Sequence, residues 1–232
     1  MMAMVGGILA VFFVANVAVE LLRRAGVAGF HSLDSTGSVL LATLSFHGTA
    51  IVAGILFLKF HGIGWREISG LGTMRFSKQV QRVIIALAVA VPVMVALKIL
   101  STLVLEKLGW PVEDQRAVEL LLGAKSIGMK IYLGIFAVVI APLAEEFVFR
   151  GLLFSSFKKA GWSKCGWVVV SLLFAAIHGS APIFLPLFVF ALALTWLYET
   201  TEGLLAPVMA HGIFNAGNLA ILFIAERFDL LK

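Results

Sequence analysis

Residues 80–105 read VQRVIIALAVAVPVMVALKILSTLVL. The run exceeds the roughly 20 apolar residues that a helix needs to cross a bilayer core of roughly 30 Å. It lacks the period-two alternation of a membrane barrel strand. Backbone N–H and C=O groups in lipid must be satisfied within the chain, so a continuous run of this length reads as a spanning helix. Working outward, comparable runs at Ala3–Leu22, Val39–Phe60, Ile127–Phe149, Cys165–His178, Pro182–Tyr198 and Leu204–Ala225 complete a set of about seven. The run Cys165–His178 is short for a crossing; it either continues through Gly179–Ala181 or tilts. The stretch PVEDQRAVELLL, Pro111–Leu122, starts acidic and carries Leu and Val at helical spacing, which predicts an amphipathic helix at the interface. The expected fold is all-α: a polytopic transmembrane helical bundle of about seven spans plus that interfacial helix. No repeat, low-complexity tract or long linker divides residues 1–232, so a single membrane domain is expected.

Composition agrees. The chain is 61% hydrophobic and 13% charged, with mean hydropathy +1.04. A soluble domain carries roughly 25% charged residues to cover its surface. The partner implied is a lipid bilayer. The net charge of +5 fits cytoplasmic loops rich in Lys and Arg, and no nucleic-acid patch is expected. A single cysteine, Cys165, cannot form an internal disulfide, and no CxxC or Cys/His cluster suggests structural zinc. The first apolar run is long and lacks a basic n-region, so it reads as a retained span and not as a cleaved signal peptide.

Loop charge sets an expected orientation. Lys59, Arg66, Arg75, Lys78 and Arg82 oppose only Glu67 in the segment Lys59–Arg82. Arg150, Lys158, Lys159 and Lys164 mark a second basic segment, two spans later. Both then lie on one side, which the positive-inside rule makes cytoplasmic, together with the N-terminus. Arg23 and Arg24 in the first loop oppose this assignment.

Ionisable residues inside spans call for an explanation, because a mid-bilayer charge costs roughly 2.5–3.5 kcal/mol on insertion scales. Three clusters stand out. APLAEEFVFRG holds Glu145, Glu146 and Arg150; FAAIHG holds Phe174 and His178; HGIFNAGN holds His211, Asn215 and Asn218. Residues four apart share a helix face, so Glu146 pairs with Arg150, whereas Glu145 lies about 100° round the helix and points elsewhere. His211 and Asn215 share a face by the same spacing. Taken singly, each cluster also suits an ordinary role: snorkelling charges at a helix end, or inter-helix hydrogen bonds. Taken together, a carboxylate, two imidazoles and a carboxamide on three helices form a hydrolytic set of base, water-orienting group and oxyanion donors. No GxSxG is present and Cys165 has no histidine nearby in sequence, which points to activated water and not a covalent intermediate. His47, beside Ser45 and Thr49 in the second span, reads as a buried inter-helix hydrogen bond. His31 and His61 read as loop residues.

At these positions the sequence resembles the CPBP family, which contains the type II CAAX prenyl endopeptidases and the bacteriocin-processing or Abi proteins. EExxxR (Glu145–Arg150), FxxxH (Phe174–His178) and HxxxN (His211–Asn215) occur in the order and rough spacing of that family. The resemblance covers about 127–225, the expected catalytic core. It implies a glutamate-dependent intramembrane endopeptidase acting on a membrane-associated peptide or protein, with prenylated and precursor substrates among the classes the resemblance allows. By position, Glu145 and His178 would activate the water, and His211 and Asn215 would form the oxyanion hole. Glu146 and Arg150 would brace the site, with Phe174 packing against the ring. No cofactor or metal is implied. The setting implied is the cell membrane of a prokaryote, with the site towards the cytoplasmic side. Two other readings stay open: a zinc-dependent membrane hydrolase, since two His and a Glu are acceptable zinc ligands, and a non-catalytic immunity or scaffold protein. A transporter is disfavoured, because no repeated halves or paired broken helices appear.

Overall fold

The computed structural model describes residues 2–27, 36–112, 116–124 and 126–228. Every regular element among them is a helix. In chain order these are α1 Met2–Arg24, α2 Ser38–His61, α3 Trp65–Ile68, α4 Phe76–Lys107, α5 Arg116–Gly123, α6 Ile127–Lys159, α7 Ser163–Ala176, α8 Ala181–Thr201 and α9 Leu205–Arg227. Six of them, α1, α2, α4, α6, α8 and α9, are long and apolar enough to cross a membrane. The chain is a polytopic helical membrane bundle. Phe13, Ile84, Val89, Ile99, Ile131 and Ile221 stand exposed on its outside, as suits a surface solvated by lipid.

The seventh expected span departs from expectation. α7 stops at Ala176, and the chain turns through Ile177–Gly179, with Gly179 at φ +65°, before α8 begins at Ala181. Its 14 residues rise about 21 Å at 1.5 Å each, short of a bilayer core. α7 alone is too short to span, and the turn through Ile177–Ser180 carries the chain the remaining distance to the start of α8. The expected interfacial helix is seen as α5, eight residues long; residues 113–115, including the acidic Glu113 and Asp114, lie outside the described residues, as does His31. His61 is not in a loop: it closes α2, donating from Nδ1 to the Phe57 carbonyl at 2.9 Å and stacking on the Phe57 ring. The carbonyl only accepts, so Nδ1 carries the proton.

α8 is the central helix, packed between α4 and α7. Leu187, Phe190, Ala191, Leu194 and Leu197 are buried against Val83, Ala90 and Met94 of α4 and Val170 and Phe174 of α7. Pro182 sits in the first turn of α8, where a missing N–H leaves no bond unmade. At the other end α8 stops with Glu202 in a left-handed conformation, φ 53°. There the α3 segment clasps the α8–α9 corner. Leu204 N–H donates to Ile68 O at 2.8 Å, Thr73 Oγ1 to Thr201 O at 3.2 Å, and Arg82 to Thr200 O at 2.5 Å. Gly203 lies so close that a Cβ there would overlap the backbone of Ser69 and Gly70.

This clasp brings the segment 59–82 to the same end as the α8–α9 corner. Ser163 and Trp167, at the start of α7, donate to Glu199 near the end of α8 at 2.8 and 2.9 Å. The two basic segments thus share one end of the bundle, as the span count expects. At the far end of α1, Arg23 and Arg24 both bond to Glu20 at 2.7 Å, which offsets part of the charge that opposed this orientation.

Candidate active site

α6 is wound unevenly, and the cause is local. A wide turn over Phe136–Ile140 makes the Ala141 N–H bond to Phe136 O, five residues back, and Pro142 follows with no N–H to give. The Ala137 carbonyl loses both its usual and its next donor. Asn215 Nδ2 of α9 supplies one at 2.8 Å. Val138 O would ordinarily accept from residue 142; it meets α9 at Gly212, where an added Cβ would lie 2.7 Å from that oxygen. The proline therefore does two things: it frees backbone acceptors, and α9 docks on them through Asn215 and a residue without a side chain.

One turn later come the charges. Glu146 Oε1 accepts from Arg150 Nη1 at 3.0 Å and from His211 Nδ1 at 2.9 Å. Arg150 Nη2 donates to Ala191 O of α8 at 2.9 Å, and its guanidinium lies 4.8 Å from the centre of the Phe174 ring. Both Glu146 and Arg150 are fully buried. The i, i+4 pairing expected from spacing is present, but its setting differs. Arg150 is not at a helix end near an interface, because α6 continues to Lys159 and both Nη atoms are bonded within the bundle, while Nε and Glu146 Oε2 are buried without a partner. Phe174 is the shared wall, buried and touching the rings of Phe149, His178 and His211 at 5.2, 4.8 and 5.7 Å between centres. Phe190 closes the other side of His211 at 5.5 Å.

Glu145 points away from that pair, as the helix geometry expects. Its Oε1 lies 3.3 Å from His47 Nε2 of α2, and its Oε2 lies 3.9 Å from His211 Nε2. Oε2 is buried and has no hydrogen-bond partner within the protein. His178 does not bond to Glu145. Its Nδ1 lies 2.7 Å from Phe174 O, four residues back, so Nδ1 carries the proton and Nε2 presents a lone pair in the neutral ring. His178 is half-buried at the turn where α7 ends. Asn218 is exposed and belongs to none of these contacts.

Helices α6, α7 and α9 thus gather Glu145, Glu146, Arg150, Phe174 and His211 into one cluster, with His178 at its edge, while Asn215 bonds to Ala137, eight residues before Glu145 on α6. Helix α2 adds His47. The inter-helix hydrogen bond expected of His47 exists, but its partner is Glu145, which no spacing rule reveals across 98 residues. Among the described residues, no group of three or more His, Cys, Asp or Glu is arranged to hold a metal ion.

Comparison with known proteins adds a family. The chain is 30% identical over 95 residues to the UPF0177 protein YxdF of Lactococcus lactis subsp. lactis (strain IL1403), covering 40% of this chain and 52% of that protein. The chain thus spans about half the length of the curated relative it matches. No solved structure matches it. Residues 127–217, less than half of the 232, match the family described as type II CAAX prenyl endopeptidase Rce1-like. That segment runs from the start of α6 into α9 and includes each of the three motifs, so the half of the chain that builds the cluster is Rce1-like in sequence.

Proposed function

We propose that this protein is an intramembrane endopeptidase that hydrolyses a peptide bond of a membrane-associated substrate with water activated by Glu145. The observation that carries the reading is Glu145 itself: a carboxylate in the bundle, with one buried oxygen free of protein partners and imidazoles on either side. The Rce1-like match of residues 127–217 supports the reaction class.

Glu145 Oε2 takes a proton from water while His178 Nε2 accepts the other O–H, holding the oxygen for attack on the carbonyl carbon. As the C–O bond forms, the carbonyl oxygen becomes an oxyanion. Asn215 spends one N–H on Ala137 O and has a second to donate. His211 Nδ1 is committed to Glu146, so it donates from Nε2 as the imidazolium, whose charge the Glu146 carboxylate balances. The proton on Glu145 then passes to the departing amide nitrogen as the C–N bond breaks. Glu146 and Arg150 hold His211 and α8 in register.

The family match makes prenylated C-terminal peptides one substrate class to try, with membrane-anchored precursors beside it. Membranes from cells with and without the wild-type protein should differ by new peptide termini. A Glu145→Gln control should match the cells without it; identical termini in all three would leave only a binding protein. The protein is placed in the cell membrane of a prokaryote, with its basic end towards the cytoplasm. In a Cys165→Ala background, single cysteines at Lys78 and Lys158 should resist an impermeant reagent in intact cells. Labelling of both would invert the topology.

A further inference from the structure

We propose that His47 of α2, outside the Rce1-like segment, is a positioning residue for Glu145 and that the two share one proton. The proposal rests on the reading of Glu145 as the base. Its ground is a chain of hydrogen-bond polarities. His47 Nδ1 lies 3.2 Å from Thr43 O, a group that only accepts, so Nδ1 carries a proton. Nε2 faces Glu145 Oε1 at 3.3 Å. If the ring were neutral and the carboxylate ionised, two lone pairs would meet there in a poorly solvated site. One proton must lie between them, on the imidazole or on the carboxyl. The His211 Nε2 to Oε2 separation of 3.9 Å makes no such demand.

The ring is held where it serves this purpose. It packs edge-on between Phe46 and Phe136, with centres 5.0 and 4.8 Å away. His47 lies in a wide turn of α2 over Leu44–Gly48, and Phe136 opens the wide turn of α6. The Thr43 hydroxyl donates to Val39 O and Leu40 O at 2.9 and 3.1 Å, so Tyr132 of α6 donates to Thr43 Oγ1 at 2.8 Å. The residue that fixes the His47 tautomer is therefore itself pinned to α6. With Oε1 held by His47, Oε2 is the oxygen left to meet water.

The titratable groups around this contact are Glu146 and Arg150 on α6, His178 on α7 and His211 on α9. α1 packs against the His47 turn but carries Glu20, Arg23 and Arg24 at its far end, bonded to one another. Lys130 of α6 pairs with Glu226 at 2.8 Å.

The test uses the full chain in lipid nanodiscs with isotope-labelled histidine. The His47 ring signals are assigned by their loss in His47→Gln, and they should show Nδ1 protonated. Glu145→Gln should shift the His47 Nε2 signal, while Glu146→Gln should shift His211 and leave His47 in place. A His47 signal indifferent to Glu145→Gln, or a bare Nδ1, overturns the proposal without reference to any substrate. In the membrane cleavage comparison, His47→Leu should cut the rate by about 10–100-fold, the usual cost of an outer partner that orients a reacting group. His47→Gln, which can still donate to Oε1, should recover part of it and lose one ionisation from the pH–rate profile. Folding is controlled by the melting temperature of each variant. Wild-type cleavage in folded His47→Leu sinks the positioning role while the Glu145 reading stands. Cleavage by Glu145→Gln sinks that reading instead.

Discussion

Glu145 and Glu146 are neighbours on α6, yet they enter two unlike regions. On the Glu146 side, contacts with Arg150 and His211 are 3.0 and 2.9 Å, and neither the glutamate nor the arginine has any exposure. On the Glu145 side, contacts with His47 and His211 are 3.3 and 3.9 Å, with 12% of the Glu145 side chain and 17% of the His47 side chain exposed. The first region is short-bonded, shared among three helices and dry. The second is longer-bonded and its side chains are partly exposed, although Glu145 Oε2 itself is buried. A buried ion pair resists any change of partner, because removing one member strands the other. Each glutamate leaves its Oε2 without a partner, so the difference lies in contact length and exposure, and the carboxylate with the longer contacts is the freer to exchange a proton. Adjacent residues of one type are thus given unlike surroundings by the faces they occupy, and the proposed mechanism gives them unlike work.

The largest effect should come from Glu145→Gln. The change keeps size and hydrogen-bonding capacity but removes the basic lone pair, so cleavage should fall to background while the melting temperature stays close to wild type. General-base catalysis alone is worth about 10²–10⁴-fold in rate. Should Glu145→Gln cleave while a well-folded Glu146→Gln is inactive, the two regions have been assigned the wrong way round.

Next is the ion-paired side. Glu146→Gln leaves Arg150 with a neutral partner in a dry setting, and Arg150→Ala leaves Glu146 with His211 only. Breaking a buried pair typically costs about 3–5 kcal/mol. Each single variant should melt well below wild type, and the double variant should lose little more, because both changes break one interaction. Additive losses would show that Glu146 and Arg150 act separately, Glu146 through His211 and Arg150 through Ala191 O and Phe174.

Much of this was readable from residues alone. The helical class follows from apolar run lengths, and the split between Glu145 and Glu146 follows from the 100° helix step. What spacing cannot supply is depth and distant partners. The apolar run ends at Phe149 because Arg150 interrupts it, yet the helix continues ten residues further, to Lys159, with Glu146 and the Ala191 carbonyl accepting from the two Nη atoms. The shortness of Cys165–His178 was visible, but not that its helix ends at Ala176 in a turn leading straight into α8. His47 was visible only as a polar residue seeking a partner; that the partner is Glu145 depends on how α2 packs on α6. Pro142 carried an unread signal. A proline after a long apolar run frees carbonyls upstream, and a donor from another helix is then required.

That donor is Asn215, and it gives the smallest and most discriminating effect. Asn215 lies one turn beyond His211 on α9: one N–H ties α9 to Ala137 O, and the proposed mechanism assigns the other to the oxyanion. Asn215→Ala removes both. Losing the tie should lower stability by about 0.5–1.5 kcal/mol, the net worth of an ordinary hydrogen bond, well short of the loss at Glu146. Losing the oxyanion donor should lower kcat by about 10²–10³-fold with KM little changed, because that bond strengthens only as charge develops on the carbonyl oxygen. The pattern differs from Glu146→Gln, where stability falls most, and from Glu145→Gln, where chemistry falls without stability. Melting curves and cleavage rates on one preparation separate the three. A folded Asn215→Ala protein that cuts at the wild-type rate would confine Asn215 to docking α9 on the Pro142 turn, and would leave His211 as the sole oxyanion donor of the cluster.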